Sequence, residues 1–182
     1  CTTQDGMLAT VELLRKKFGF DGYVHLKILP RAEQSQVERA AQLAQRISIN
    51  LEAPNAQMLK RIADDKEFES DIITRMQWIA QAIRRRSAKA SGHTTQLVVG
   101  AAGESDHQIL STTNRLYREL DLSRAYYSAF RPVPDSPLAH QSASPAQRQL
   151  RLYQADMLVR HYGFSLDDIP FDGGGELARH LD

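Results

Sequence analysis

The sequence predicts an α/β fold in which about four parallel strands carry helices on one face. Two observations lead to this prediction: strand-like and helix-like segments alternate along the chain, and the strands are apolar on one face only. The 182 residues, 42% of them hydrophobic and 25% charged, suit a single globular domain. With 23 basic and 22 acidic side chains the net charge is +1, which gives no electrostatic indication of a nucleic-acid partner.

The first half of the chain alternates helix, strand, helix and strand. Apolar residues at helical spacing indicate a first helix, namely Met7, Val11, Leu14 and Phe18. Residues 23–29 form a strand that Pro30 stops. A strand over residues 47–52 follows a second helical stripe, which consists of Val37, Ala40, Ala41 and Ala44.

The second half adds two more strands, each with its helices. A strand over residues 94–100 follows a long helix with the stripe Phe68, Ile72, Met76, Ile79 and Ile83. Residues 124–130 form the fourth strand after a helix with the stripe Ile109, Thr113, Leu116 and Leu120.

The last predicted helix begins with Ser144 as N-cap and Pro145 as its first helical residue. Its expected buried stripe is Leu150, Tyr153, Met157 and His161. Acidic residues and three consecutive glycines follow, so residues 165–182 are predicted to be a frayed tail or linker after a domain of residues 1–164.

Polar and apolar residues split with period two in the first two strands. His25 and Lys27 share one face and Leu26 the other, while Asn50 and Glu52 oppose apolar neighbours in the second strand. One explanation is a two-layer domain whose sheet has one wet face. The other, favoured by the helical crossovers, is a barrel-like sheet whose free face lines a polar cavity, with ligands at the carboxyl ends of the strands.

A glycine-containing turn follows the third strand and opens the next helix. Gly100 and Gly103 would let a ligand approach the backbone closely, and free N–H groups at a helix start favour an anion. The pattern lacks the glycine spacing of a dinucleotide fingerprint and the lysine of a P-loop.

Four segments together resemble the radical S-adenosylmethionine enzymes, and among them a DNA modification and repair branch. They are YVHLKILP at 23–30, SINLEAP at 48–54, TTQLVVGAAGESD at 94–106 and YYSAFRPVP at 126–134. The resemblance implies that this chain is the C-terminal part, about four strands, of a partial (β/α)6 barrel. It further implies a cytoplasmic enzyme that forms a 5′-deoxyadenosyl radical and acts on nucleic acid through segments outside this sequence.

The same resemblance implies a division of the site residues between cofactor and substrate. Glu52, the turn residues Gly100, Ala101, Gly103 and Glu104, and Ser128 with Phe130 on the last strand would contact S-adenosylmethionine. The substrate would face the lumen residues His25, Lys27, Asn50 and Gln96.

One feature of the family is absent from this sequence. The family holds a 4Fe–4S cluster through a CxxxCxxC loop, and cluster ligation needs several thiolates, whereas this chain has one cysteine, Cys1. We therefore expect no metal ligands in this chain. Either the chain is a fragment of a longer parent protein that carries the cluster loop, which we favour, or it is a degenerate relative without this chemistry. Two other functions stay open: a lyase or isomerase with Lys27 as Schiff-base or acid–base group, and a non-catalytic binding module. No apolar run is long enough to span a membrane.

Overall fold

The computed structural model describes residues 2–85 and 87–178. Six α-helices and four strands follow one another in these ranges: α1 (Thr2–Lys16), β1 (His25–Lys27), α2 (Gln34–Leu43), β2 (Arg46–Ser48), α3 (Ala56–Ile62), α4 (Thr74–Ile83), β3 (His93–Val99), α5 (Asp106–Leu120), β4 (Arg124–Ala129) and α6 (Ala146–Tyr162). A π-helix (Phe68–Ile73) leads directly into α4, and a short 3-10 helix (Leu166–Asp168) follows α6.

The four strands form one parallel sheet in the order β1-β2-β3-β4. Lys27 pairs with Ser48, Ser48 with Thr94, and Thr94 with Arg124, so one row of side chains crosses all four strands. Parallel neighbours that follow in chain order require crossovers of one hand, which place the connecting helices on the same face. The predicted α/β class with a four-stranded parallel sheet is confirmed.

The helices cover one face of the sheet and bury its apolar side chains. Helix α1 contacts α2, α2 contacts α4, α4 contacts α5, and α5 contacts α6, so they form a single layer. Beneath it lie the fully buried core residues Ile28, Ile47, Ile49, Leu51, Leu97 and Tyr127. Burial of this face supplies most of the hydrophobic stabilisation of the fold.

Strand β2 is shorter than the sequence indicates, because the hydroxyl of Thr95 on β3 interrupts its ladder. This hydroxyl donates to the Ile49 carbonyl (2.8 Å) and accepts the N–H of Leu51 (2.9 Å). Pairing resumes only at Glu52, which forms an isolated bridge with Leu97. Helix α3 was not predicted from the sequence; its N-cap Asn55 accepts the backbone N–H of Met58 at 3.0 Å.

The face predicted for α6 is wrong. Leu150 and Met157 are about half exposed, at 54% and 48%, whereas the buried positions include Arg148 and Asp156. The inner face of α6 combines apolar Leu152 and Ala155 with these two polar side chains, and of the predicted stripe only Tyr153 packs against the core. The helix also begins one residue later than predicted, with Pro145 as its N-cap.

The segment after residue 164 is packed, which corrects the expectation of a frayed tail up to residue 178. Ile169 and Leu177 are 6% and 8% exposed, and Phe171 pairs with Leu177 in an antiparallel bridge. The N–H of His107 on α5 donates to the carbonyl of Gly175 at 2.9 Å. The boundary predicted at residue 164 therefore does not separate this segment from the fold. Residues 179–182 of the predicted tail lie outside the described residues.

The two edges of the sheet differ in how their backbone groups are satisfied. On the outer edge of β4, side chains accept three N–H groups: Tyr117 accepts that of Ala125, Tyr153 that of Tyr127, and Gln149 that of Ala129. These caps fill the positions where a further strand would pair.

The outer edge of β1 is less completely covered. Ile28 donates to Ser48 on β2, so the N–H groups of His25 and Lys27 point to the other side. Buried Gln4 reaches this edge, accepting the N–H of Leu29 at 2.9 Å, but within the described ranges the N–H groups of His25 and Lys27 have no partner. Across residues 2–85 and 87–178 no helix is long and apolar enough to cross a membrane.

Candidate ligand-binding face

The face of the sheet opposite the helices is almost entirely polar. We call it the open face; its side chains are His25, Lys27, Arg46, Ser48, Asn50, Thr94, Gln96, Val98, Arg124, Tyr126 and Ser128. The side chains of Lys27, Asn50 and Gln96 have no hydrogen-bond or ion-pair partner among the described residues. These side chains have unused donors and acceptors, which a polar ligand could bind.

The four residues predicted to face a substrate therefore lie on one face. His25 and Lys27 are exposed, while Asn50 and Gln96 are half-buried. Partial burial lowers the pKa of His25, and the nearby positive charge of Arg46 lowers it further. The open face carries the cations Lys27, Arg46 and Arg124, and the guanidinium of Arg124 lies 5.1 Å from the centre of the Tyr126 ring.

Glu52 lies at the carboxyl end of β2 in an unusual backbone conformation. Its φ of 66° is in the left-handed region, which non-glycine residues seldom occupy. Its N–H donates to the Gln96 carbonyl at 2.9 Å and its carbonyl accepts the N–H of Val98 at 2.8 Å, so β3 holds it on both sides. The carboxylate lies 3.6 Å from the ammonium of Lys66.

In the glycine turn, N–H groups that were predicted to bind an anion donate instead to a side chain of the same turn. The buried carboxylate of Glu104 accepts the N–H of Gly100 with one oxygen and that of Ala102 with the other, at 3.0 Å. Gln141 donates to the carbonyls of Gly100 and Ala101, at 3.0 and 2.8 Å. The turn is thus held rigidly, but these two N–H groups are not free for a ligand.

A buried ion pair that was not predicted from the sequence anchors this turn. Arg148 on α6 donates to Asp106 at 2.7 Å and to the Glu104 carbonyl at 2.6 Å. The other oxygen of Asp106 accepts the N–H of Leu177 at 2.9 Å, which ties the C-terminal segment to the same point. Nothing in the helical spacing of α6 distinguishes Arg148 from a surface arginine.

The two predicted contacts on β4 differ in their environment. Ser128 pairs with Val98 and is half-buried on the open face. Phe130 is 9% exposed, and its backbone is fully used: its N–H donates to Val99 at 2.8 Å and its carbonyl accepts the N–H of Ser144 at 2.9 Å. Contacts from Phe130 to a ligand must therefore come from its ring.

A buried carboxylate with two tyrosines lies behind β4. Asp156 accepts the hydroxyls of Tyr117 (2.5 Å) and Tyr127 (3.0 Å) with one oxygen and the Nε–H of Arg160 (3.2 Å) with the other. Burial, reinforced by the negative charge of Asp156, raises the pKa of both tyrosines. These hydroxyls act as neutral donors that hold α5 and α6 against the sheet.

Among the described residues, neither the arginines that follow α4 nor the histidines form a second site. Arg84 pairs with Asp121, and Arg85 lies 3.0 Å from Glu38, while Arg86 is outside the described residues. Within the described ranges no three histidine, cysteine or acidic side chains come close enough to hold a metal ion.

Comparisons of the chain with protein-family models, with curated proteins and with solved structures found no match. Functional proposals for this chain therefore depend on its topology, on the side chains of the open face and on the motifs of its sequence.

Proposed function

We propose that the chain is the C-terminal part of a radical S-adenosylmethionine enzyme that acts on nucleic acid in the cytoplasm. The observation that carries the proposal is the open face: four parallel strands in chain order, helices on one side only, and polar side chains on the other. A partial barrel built from successive strand–helix units has this arrangement, with its lumen on the helix-free face.

The difference between the sheet edges supports the same proposal. Side chains cap β4, the last strand in the chain, whereas β1 leaves the N–H groups of His25 and Lys27 without a partner in the described part of the chain. Further strands of a barrel would therefore pair at β1 and not at β4.

The residues present fit the two expected groups unequally. A 4Fe–4S cluster does not fit this chain, because its only cysteine is Cys1 and thiolates hold such clusters. S-adenosylmethionine fits better, since Glu52 at the carboxyl end of β2 can accept hydrogen bonds from hydroxyl or ammonium groups, and Gln96 and Ser128 offer amide and hydroxyl groups on the open face. When bound beside a cluster supplied by the parent protein, the cofactor would provide the radical.

The test uses the full-length gene product, reconstituted anaerobically with iron and sulfide. With S-adenosylmethionine and with dithionite as electron donor, we expect it to release methionine and 5′-deoxyadenosine, and we expect Glu52→Gln to raise the S-adenosylmethionine Kd at least tenfold, about 1.4 kcal/mol. Glu119→Gln removes the same charge from an exposed position of α5 and should leave the Kd unchanged. A full-length protein that holds no cluster and releases no 5′-deoxyadenosine would refute the proposal.

The lyase alternative gains no support from the surroundings of Lys27. Schiff-base lysines are activated by an apolar pocket or by a neighbouring cation, and this side chain is exposed on a polar face.

A further inference from the structure

A cleft lies at the carboxyl end of the sheet, outside the residues predicted from sequence apart from Phe130. It is about 320 Å³ in volume and runs between the end of α3 and the loop that follows β4. We call it the α3–β4 cleft; the lining residues that matter here are Lys60, Arg61, Asp64, Phe130, Arg131 and Val133. Clefts of this size bind small ligands or parts of larger ones.

The charge of the cleft is positive, because three cations and one carboxylate line it. Lys60 is partly neutralised by Glu67, 3.2 Å away, at an exposed position. Arg61 donates to the Ala102 carbonyl at 2.8 Å, which fixes its guanidinium without neutralising it. Asp64 is the only acidic side chain among the lining residues.

Arg131 has no structural role that accounts for its position. Lys60 and Arg61 lie in the last turn of α3, where cations are favourable beside the helix dipole. Arg131 lies in a loop instead, is exposed, and has no hydrogen-bond or ion-pair partner among the described residues. A guanidinium in this setting is free to bind an oxyanion with two parallel hydrogen bonds.

The wall next to these cations is apolar. Phe130 is among the lining residues but only 9% exposed, so Val133, which is 62% exposed, and the neighbouring Pro137 and Leu138 present most of the apolar surface. An exposed apolar surface beside arginines can bind a nucleobase and its phosphate together, since the base packs on the apolar side chains while the cations bind the phosphate.

We propose that the α3–β4 cleft binds a phosphate-bearing nucleotide unit, either free or within a nucleic-acid strand. Arg131, with Arg61 and Lys60, binds the phosphate, and the apolar wall of Val133, Pro137 and Leu138 holds the base. The proposal goes beyond the radical chemistry suggested above and does not depend on it, because the site lies wholly within this chain. Binding here and release of 5′-deoxyadenosine by the parent protein are measured separately, so either can fail alone.

The experiment measures binding to the 182-residue chain at low and physiological salt. The probes are a fluorescein-labelled deoxythymidine 10-mer, thymidine 5′-monophosphate and inorganic phosphate, the last two as competitors. Arg131→Gln should weaken binding of the 10-mer at least fivefold and lower the salt slope by about one phosphate contact. Asp64→Asn should strengthen binding, because it removes the one negative charge of the cleft.

Two matched variants separate the cleft from general charge effects. Arg118→Gln removes the same charge from an exposed position on α5, and Asp167→Asn does so for an acidic residue near the C-terminus. Both should leave the Kd within twofold of the unmodified chain. Circular dichroism and melting curves should show that all four variants fold.

Each outcome decides the proposal. Competition by thymidine 5′-monophosphate supports a site for a single nucleotide, and binding of the 10-mer alone supports a strand. Equal weakening by Arg131→Gln and Arg118→Gln would overturn the proposal, as would the lack of binding by any probe at low salt. Inorganic phosphate competing as well as the mononucleotide would overturn the role of the apolar wall.

Discussion

The hydroxyl of Tyr153 on α6 accepts the backbone N–H of Tyr127 on β4 at 3.0 Å. This hydrogen bond gives the N–H group in the middle of an edge strand an acceptor. The acceptor comes from a helix that packs against the strand. The two rings also meet edge to face, with centres 5.1 Å apart. Tyr153 thus helps to hold α6 against the sheet, and with Tyr117 and Gln149 it closes the edge of β4.

We predict that Tyr153→Phe lowers the free energy of unfolding by about 1–3 kcal/mol, because it leaves the N–H of Tyr127 without its acceptor. Urea denaturation measures the change. Tyr162→Phe removes the same hydroxyl from a ring that is 65% exposed, and should change stability by less than about 0.5 kcal/mol. Equal effects of the two substitutions would mean that the cap does not stabilise the edge.

Asp156→Ala should destabilise the fold by about 3 kcal/mol or more, since it leaves two tyrosine hydroxyls and Arg160 without their shared acceptor. Denaturation of the single variants Asp156→Ala and Tyr127→Phe and of the double variant tests the coupling. The double variant should cost less than the sum of the two single ones. Additive losses would contradict a shared hydrogen-bond network.

The sequence predicts the elements of the sheet well because period two and the terminating prolines are local signals. The alternation of His25, Leu26 and Lys27 also identifies the open face correctly, since one face of each strand is buried. The lengths of the strands depend on a side chain from a neighbour: Thr95 replaces part of the ladder beside Ile49, and no local pattern reveals this.

The candidate site is less predictable, because its polar groups choose partners that are distant in sequence. From the sequence, Glu104 was expected to contact a ligand. In the structure its carboxylate instead accepts the N–H groups of its own turn. Arg148 reaches Asp106 across 42 positions of the chain, so α6 buries a charged side chain that hydrophobic periodicity does not indicate. Arg131 differs again, since only the shape of the loop brings it to the α3–β4 cleft.

His93 makes stability depend on pH. Its ring is 1% exposed; one ring nitrogen lies 2.8 Å from the Leu120 carbonyl, and the other is buried without a partner in the described part of the chain. Burial lowers its pKa below the ordinary value of 6.5, although the bond to Leu120 opposes this. The unfolded chain therefore binds more protons, and stability is lost as the pH falls below about 6.5.

We expect the free energy of unfolding to fall between pH 7 and pH 5.5, where the carboxylates stay ionised. His93→Gln should flatten this dependence, as the titrating group is gone. His25 provides the comparison, because its pKa is also lowered by burial but its side chain is less buried than that of His93. His25→Gln should therefore flatten the pH dependence of stability less than His93→Gln does. Denaturation at four pH values measures both slopes, and an unchanged slope for His93→Gln would show that another group titrates.

Gly100 permits a conformation and a contact that no other residue allows. Its φ is +89°, and a Cβ at this position would lie 2.8 Å from the Cβ of Ser144 and 2.9 Å from its hydroxyl. Ser144 is held in turn, because its N–H donates to the carbonyl of Phe130 at 2.9 Å. A side chain at Gly100 therefore meets both backbone strain and a neighbour that cannot easily move.

Gly100→Ala should destabilise the fold by at least about 2 kcal/mol, of which about 1 kcal/mol comes from the positive φ alone. Gly163→Ala isolates that part: Gly163 has a φ of +76°, and a Cβ there would meet nothing within 4 Å. Gly173→Ala, with open space and no positive φ, should change little. The expected order of stability loss is Gly100, Gly163, Gly173, measured by urea denaturation. A loss at Gly100 equal to that at Gly163 would show that Ser144 yields, and only then would substitution at Gly100 report on ligand binding rather than on the fold.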